Sequence, residues 1–468
     1  MKRATFIAKY VAEIEAGNAA IFAGAGLSVP AGFVNWRELL REIADGLDLD
    51  IDREHDLIGV AQYHVNRHGQ QRGHLNQAII HALSTDGPPT PTHRLLAQLP
   101  IEVWWTTNYD KLIERSLELE GKTADVKFSV TQLAHTKPRR DAVVYKMHGD
   151  VDSPADAILT RDDYEKYSTE RGAFLNALSG DLVSKTFLFL GFSFTDPNLA
   201  SVLANIRTKF ADNQRPHYAV FRKENRRDFK SQAEFNYAVT KQSLYIEDLH
   251  RFNINSVLVD EYSEIYEIVA EIHSKISRRY VFVSTSAVDF SPWGEPAVTE
   301  FMRKLGQIII QRGFRLVSGV GLGTGNALLT GAIQEIAEKG WKLDDELLIR
   351  PFPQFIVDRE EREGAWRLYR EDMLARCGIA LFLFGNKESD TGVVPATGMI
   401  EEFEIASRLG ISVVPVGATG SVARQLVSND LKIGANGGDF VKLNTSTEDL
   451  MTLLGPIVDL IEKIRNTL

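Results

Sequence analysis

The chain has 468 residues, 25% charged and 44% hydrophobic, a mixture that excludes a disordered chain and that is long for one core. Its 53 basic and 63 acidic side chains leave a net charge of −10, which argues against non-specific binding to nucleic acid or anionic lipid. The single cysteine, Cys377, excludes an internal disulfide and any Cys-x-x-Cys zinc pair, so no metal and a cytoplasmic location are expected.

The opening stretch MKRATFIAKYVAEIEAGN places Glu13 and Glu15 where a signal peptide would be apolar, and so predicts an amphipathic helix. That helix is either an interface of a homo-oligomer, with a tetramer as the expected form, or a face packed on its own domain. No apolar run approaches the ~18 residues of a membrane span, and no membrane partner is expected. Next, IFAGAGLSVPAG at 21–32 ends a short apolar strand in a glycine turn, followed by Trp36, Leu39, Leu40 and Ile43 at helical spacing. Such a turn points backbone N–H groups at a phosphate, although its glycines match neither the dinucleotide fingerprint nor a P-loop.

From Ile21 to about Val259, short apolar runs alternate with helical patterns, which predicts an α/β domain with a parallel, Rossmann-type sheet. Four strands end in polar residues: GAGLS, TTNYD at 106–110, MHGD ending at Asp150, and GFSFTDPN at 191–198. Ligands of open α/β sheets collect outside the carboxyl ends of the strands, so these four ends describe one site. Asp196-Pro197-Asn198 reads as a turn and helix start, and Trp104 and Trp105 as core. A charged helical pattern at 261–279 then leads to a new strand, YVFVSTSA, at 280–287. The expected domains are 1–277 and 278–468. The second repeats the strand, glycine-loop, helix theme at Arg315, Ile379 and Ser412.

GAGLS followed by Gly32-Phe-Val-Asn-Trp-Arg37, then TTNYD, then His148-Gly149, resembles the sirtuin motifs in order and rough spacing. The resemblance implies cleavage of NAD+, the substrate, at its nicotinamide glycosidic bond. It makes Asn108 and His148 the catalytic pair, gives Asp110 the nicotinamide carboxamide, and assigns phosphates to Gly24, Ala25, Gly26 and Ser28, with Ser193 nearby. A chain with one cysteine lacks the four-cysteine zinc ribbon usual in protein-deacylating sirtuins, which argues against lysine deacylation. The residue types suit the chemistry. Departure of nicotinamide leaves an oxocarbenium-like ribose, His148 can accept a proton near neutrality, and Asn108 can hold a ribose hydroxyl or a water.

Over essentially the whole chain, through FAGAGLS, DAVVYKMHGD, ALSGDLVSKTFLFLGFSFTDPNL, RPFPQ and VVPVGATG, the sequence resembles the sirtuin-like plus SLOG NADases of Thoeris anti-phage defence. The SLOG half is similar to the lysine-decarboxylase-like nucleotide family, but Pro395-Ala-Thr-Gly398-Met-Ile-Glu-Glu402 lacks the paired glycines of the hydrolytic branch, which favours sensing. The resemblance implies a cyclic ADP-ribose isomer, made by a TIR-domain partner, bound by Ser284, Thr285, Gly321, Arg370, Lys387, Glu402, Ala418 and Thr419. Arg370 also reads as a surface ion pair of a charged helix. Two other classes stay open, a protein that binds NAD+ without consuming it and an NAD-dependent protein deacylase, and product analysis separates all three.

Overall fold

The computed structural model describes residues 1–83, 87–210, 213–353, 356–390, 392–427 and 437–467. Its contacts divide the chain into two compact units, Met1–His273 and Ser274–Leu468.

The first unit is built on seven strands, β1 (Ala19–Ala23), β2 (Val103–Thr106), β3 (Ala124–Lys127), β4 (Ala142–Lys146), β5 (Thr186–Leu190), β6 (His217–Arg222) and β7 (Ile254–Val259). They form one parallel sheet in the order β3-β4-β2-β1-β5-β6-β7. The central strands AAIFA and TFLFL are buried along their whole length, as continuous apolar runs covered by helices on both faces must be. From β1 the chain crosses to β2 on one side, whereas β5 continues to β6 and β7 on the other, so the connections diverge between β1 and β5. Trp104 and Trp105 are core residues; the Trp105 ring stacks on Tyr145 and its Nε1 donates to Asp181.

The helix Arg3–Glu15 buries Phe6, Ile7, Tyr10, Val11 and Ile14 within this unit. Tyr10 donates its hydroxyl hydrogen to the Ala20 carbonyl at 2.8 Å and the Phe6 ring lies 5.0 Å from that of Tyr218. The apolar face is therefore covered by its own domain, the second of the two expected arrangements.

In the second unit β8 (Tyr280–Ser286), β9 (Arg315–Ser318), β10 (Leu347–Ile349) and β11 (Ile379–Phe384) are joined by a strand at Ser412–Pro415 in a parallel sheet. The order places β8 between β9 and β11, so connections diverge between β8 and β11. The run IALFLFGNK, which reads as one strand, breaks at Phe384, whose φ is +58°, and at Gly385. It continues as an antiparallel pair, β12 (Asn386–Ser389) and β13 (Gly392–Pro395). Among the described residues, no helix is long and apolar enough to cross a membrane.

Candidate functional site

The carboxyl ends of β1, β2, β4 and β5 enclose a cavity of about 770 Å³ lined by Ala25, Gly26, Ser28, Asn108, Asp110, His148 and Ser193, among others. Two glycine turns close its floor. Gly24 and Gly26 donate their N–H groups to the carbonyls of Leu190 and Gly191, both at 2.9 Å. A Cβ on Gly24 would lie 2.4 Å from the Gly191 oxygen, so the glycines let two backbones interlock. Of the expected phosphate-binding residues, Ala25, Gly26 and Ser28 line the cavity; Gly24 lies beside it, and the amides of Gly24 and Gly26 have backbone partners. Ala25 stays at the rim of the cavity.

The polar residues after β2 form a directed chain. Asn108 Nδ2 donates to Ser28 Oγ at 3.0 Å, Ser28 donates to Asp110 Oδ2 at 2.8 Å, and Asp110 Oδ1 accepts from the Leu112 N–H at 3.0 Å. Because the Ser28 proton goes to a carboxylate, its oxygen must accept from Asn108, which fixes the amide orientation and leaves Asn108 Oδ1 as an acceptor for a ligand. Ser28 lines the cavity with its hydroxyl hydrogen directed at Asp110.

Sequence reasoning passed over what holds this loop. Lys146, the last residue of β4, is fully buried and donates to the carbonyls of Tyr109 (3.1 Å) and Asp110 (2.6 Å) and to Glu114 (3.0 Å), and pairs with Asp150. Burial alone would lower its pKa, but Glu114 and Asp150 outweigh it and push it up. A charged side chain at the end of an apolar strand was the available signal.

Two residues beyond Lys146, His148 Nε2 lies 3.0 Å from Asp196 Oδ2, with both side chains only 6% exposed. Asp196 precedes the helix Pro197–Phe210 and accepts the Leu199 N–H on Oδ1 at 2.8 Å, so the helix-start reading holds and is incomplete. Tyr164 donates to the same Oδ2 at 3.3 Å. Burial would raise the Asp196 carboxyl, but the adjacent His148, the Leu199 amide and the Tyr164 hydroxyl hold it below its ordinary range. Ser193 lines the cavity with its Oγ 2.8 Å from Thr195 Oγ1.

In the second unit, the carboxyl ends of β8 and β9 and the start of the helix Thr397–Arg408 enclose about 1070 Å³. Ser284, Thr285, Gly321, Arg370, Lys387 and Glu402 all line it. Gly321 packs on β8 so closely that a Cβ would fall 1.5 Å from the Thr285 oxygen. Ser284 donates to Glu402, whose carboxyl burial pushes up against the opposing pull of Ser284 and Arg370. Arg370 points inward rather than forming an ordinary surface pair, its guanidinium 5.0 Å from the Phe352 ring centre. Ala418 and Thr419 do not line this cavity. The Thr419 hydroxyl accepts from the Phe384 N–H and donates to the Val416 carbonyl, tying two strand ends together. Among the described residues, no group of three or more His, Cys, Asp or Glu side chains is arranged to hold a metal ion.

Residues 102–243 match the model of the SIR2-like domain and residues 264–466 that of the Sir2- and TIR-associating SLOG family. The chain is 48% identical to an NAD(+) hydrolase ThsA of Acinetobacter baumannii (strain 532279) over 98% of both chains. It is 45% identical to an NAD(+) hydrolase ThsA of Bacillus cereus (strain MSX-D12), also over 98% of both, and 45% identical to one of Enterococcus faecium over 94% of this chain and 92% of the other. With a cavity at the strand ends of each of two parallel sheets and these full-length likenesses, the chain belongs to the ThsA family of NAD(+) hydrolases.

Proposed function

We propose that the first unit hydrolyses NAD+ to nicotinamide and ADP-ribose, and that a cyclic ADP-ribose isomer, made by a TIR-domain partner, switches it on by binding the second unit. The observation that carries the first half is the meeting of Asn108 and His148 in one cavity, each held by buried partners. The glycosidic bond to nicotinamide breaks with its electron pair going to the ring nitrogen, and a water oxygen bonds to the ribose carbon. The water's proton is released, giving ADP-ribose, nicotinamide and one proton. Asn108 Oδ1 orients a ribose hydroxyl or the water, and His148 takes the proton. Asp110, which lines the same cavity, receives the carboxamide by the sirtuin resemblance.

The second half rests on the cations and glycine turn around the other cavity, together with the family. A signal activates only if it binds the active arrangement more tightly than the resting one, and a homo-oligomer, a tetramer in this proposal, spreads that bias across subunits. NAD+ loss in an infected cell would then halt phage propagation.

The test is nicotinamide release by the purified chain with and without a cyclic ADP-ribose isomer, beside His148→Ala and Arg370→Ala. Signal-dependent release lost in both variants, with signal binding lost only in Arg370→Ala, is the expected result. NAD+ binding without turnover under every condition would instead make the chain a non-catalytic binding protein.

A further inference from the structure

The charged groups of the second cavity fall into two kinds. Arg370 is held: its side chain is 7% exposed, its Nη2 packs under Gly398 in the first turn of the helix Thr397–Arg408, and its Nε has no hydrogen-bond partner, with Glu402 Oε1 3.5 Å away. Glu401 is 30% exposed, and on the same carboxylate it takes a 2.8 Å hydrogen bond from Arg370 Nη1 and a 3.3 Å one from Arg367 Nε. Arg367 itself is 69% exposed. Glu401 therefore bridges a buried cation of the cavity and a cation at its edge.

Resting on the sensor reading above, we propose that Glu401 is a competing counter-ion: it occupies the Arg370 fork, and a ligand must displace it with a phosphate to bind. Arg370 recognises a phosphate through paired N–H donors, and one of these is engaged by Glu401. A carboxylate left beside a bound phosphate repels it, so the ligand binds only as Glu401 swings toward Arg367 and solvent. Glu402 is not equivalent. It is buried, fixed by Ser284, and suited to accept from a ribose hydroxyl. Two adjacent glutamates thus play opposite parts, one setting how much signal is needed and the other contacting it. Neutral ligands should not feel the first.

The experiment is calorimetric titration of the full chain with cyclic ADP-ribose, pyrophosphate and, as a phosphate-free probe, adenosine, in the wild type, E401Q, R370A and K387A. E401Q should bind the two phosphate-bearing probes about tenfold or more tightly, by loss of like-charge repulsion, with adenosine unchanged. E401Q binding of those probes that is unchanged or weaker overturns the proposal, as does an equal gain for adenosine. Arg370→Ala could disturb folding, which is why Lys387→Ala is measured beside it. If R370A and K387A both bind as the wild type does, the sensor reading falls. If they lose binding while E401Q gains nothing, the counter-ion proposal falls alone. If no probe binds the wild type, binding by E401Q alone supports the proposal, and binding by neither overturns both.

Discussion

Both cavities lie at the carboxyl ends of parallel strands where the connections diverge, between β1 and β5 in the first unit and between β8 and β11 in the second. Their walls differ. Around the first, His148 with Asp196 and Asp110 with Ser28 form buried internal sets, backed by Lys146 with Glu114 and Asp150 behind the lining, while Arg37, His55 and Asp56 also line the cavity outside these sets. Around the second, eight charged side chains line the cavity, four of each sign (Arg362, Arg367, Arg370, Lys387 against Glu360, Glu363, Glu401, Glu402). Several of these, such as Arg367, are largely exposed. A site that stabilises one transition state gains from groups fixed in advance, whereas a site that answers a signal needs counter-ions that can be exchanged. Under the proposed functions, one fold position carries either task, and rigidity of the charged wall is what separates them.

The largest expected effect lies on the rigid side. Asp196→Asn keeps an acceptor for the Leu199 amide and removes the charge beside His148. It should lower kcat for nicotinamide release by about 10²- to 10⁴-fold, the scale of losing an orienting carboxylate, with KM for NAD+ within about threefold. Asp196→Glu should restore part of kcat. An unchanged kcat in Asp196→Asn would make the pair incidental, and a rise would mean that Asp196 restrains His148 instead of orienting it. Either result would remove the fixed wall from the comparison.

Much of this architecture was legible because buried parallel strands announce themselves as short apolar runs, as in AAIFA, TFLFL and IALFLF, and because their ends are polar. The convergence of Asn108, His148 and Asp110 followed from that rule alone. Less legible were the features that depend on cross-chain geometry. The motif GAGLS does not reveal that its glycines serve the contact with Gly191, or that the Ser28 proton points at Asp110. Asp196 carries an ordinary helix-start signal that hides its second oxygen. The pair β12 and β13 is hidden because Asn386, Lys387, Glu388 and Ser389 show no apolar alternation, and the small-residue loop around Thr419 does not reveal that its hydroxyl ties two strand ends together.

A smaller effect sharpens the same contrast in stability. Lys146→Met leaves Glu114 and Asp150 without their buried cation, and should cost about 3–5 kcal/mol in urea unfolding. Glu401→Gln keeps an acceptor for Arg370, which also has Glu402 3.5 Å away, and removes a partner that is itself part-exposed, so its cost should stay within about 1 kcal/mol. Similar costs for the two would contradict the division into fixed and exchangeable walls.

The smallest effect is one of sign. Asp196 is held below the ordinary aspartate value of 3.8, so its charge contributes stability that is fully present above that value and is lost as pH falls through the lowered folded value. The deficit of Asp196→Asn relative to wild type should therefore shrink as pH falls below about pH 4. Glu402 is raised above the ordinary glutamate value of 4.5, chiefly by burial, so its folded form binds a proton that the unfolded chain has released. Stability then falls as pH rises from 4.5 through the raised value, and Glu402→Gln should gain on wild type across that window and level off above it. Peptide-resolved hydrogen exchange between pH 3 and 8 reads each unit separately, with intrinsic exchange rates corrected for pH. Differences of the same sign in both would show that the two carboxylates share one electrostatic environment, and the distinction between a wall that must keep its charge and a wall that strains against it would fail.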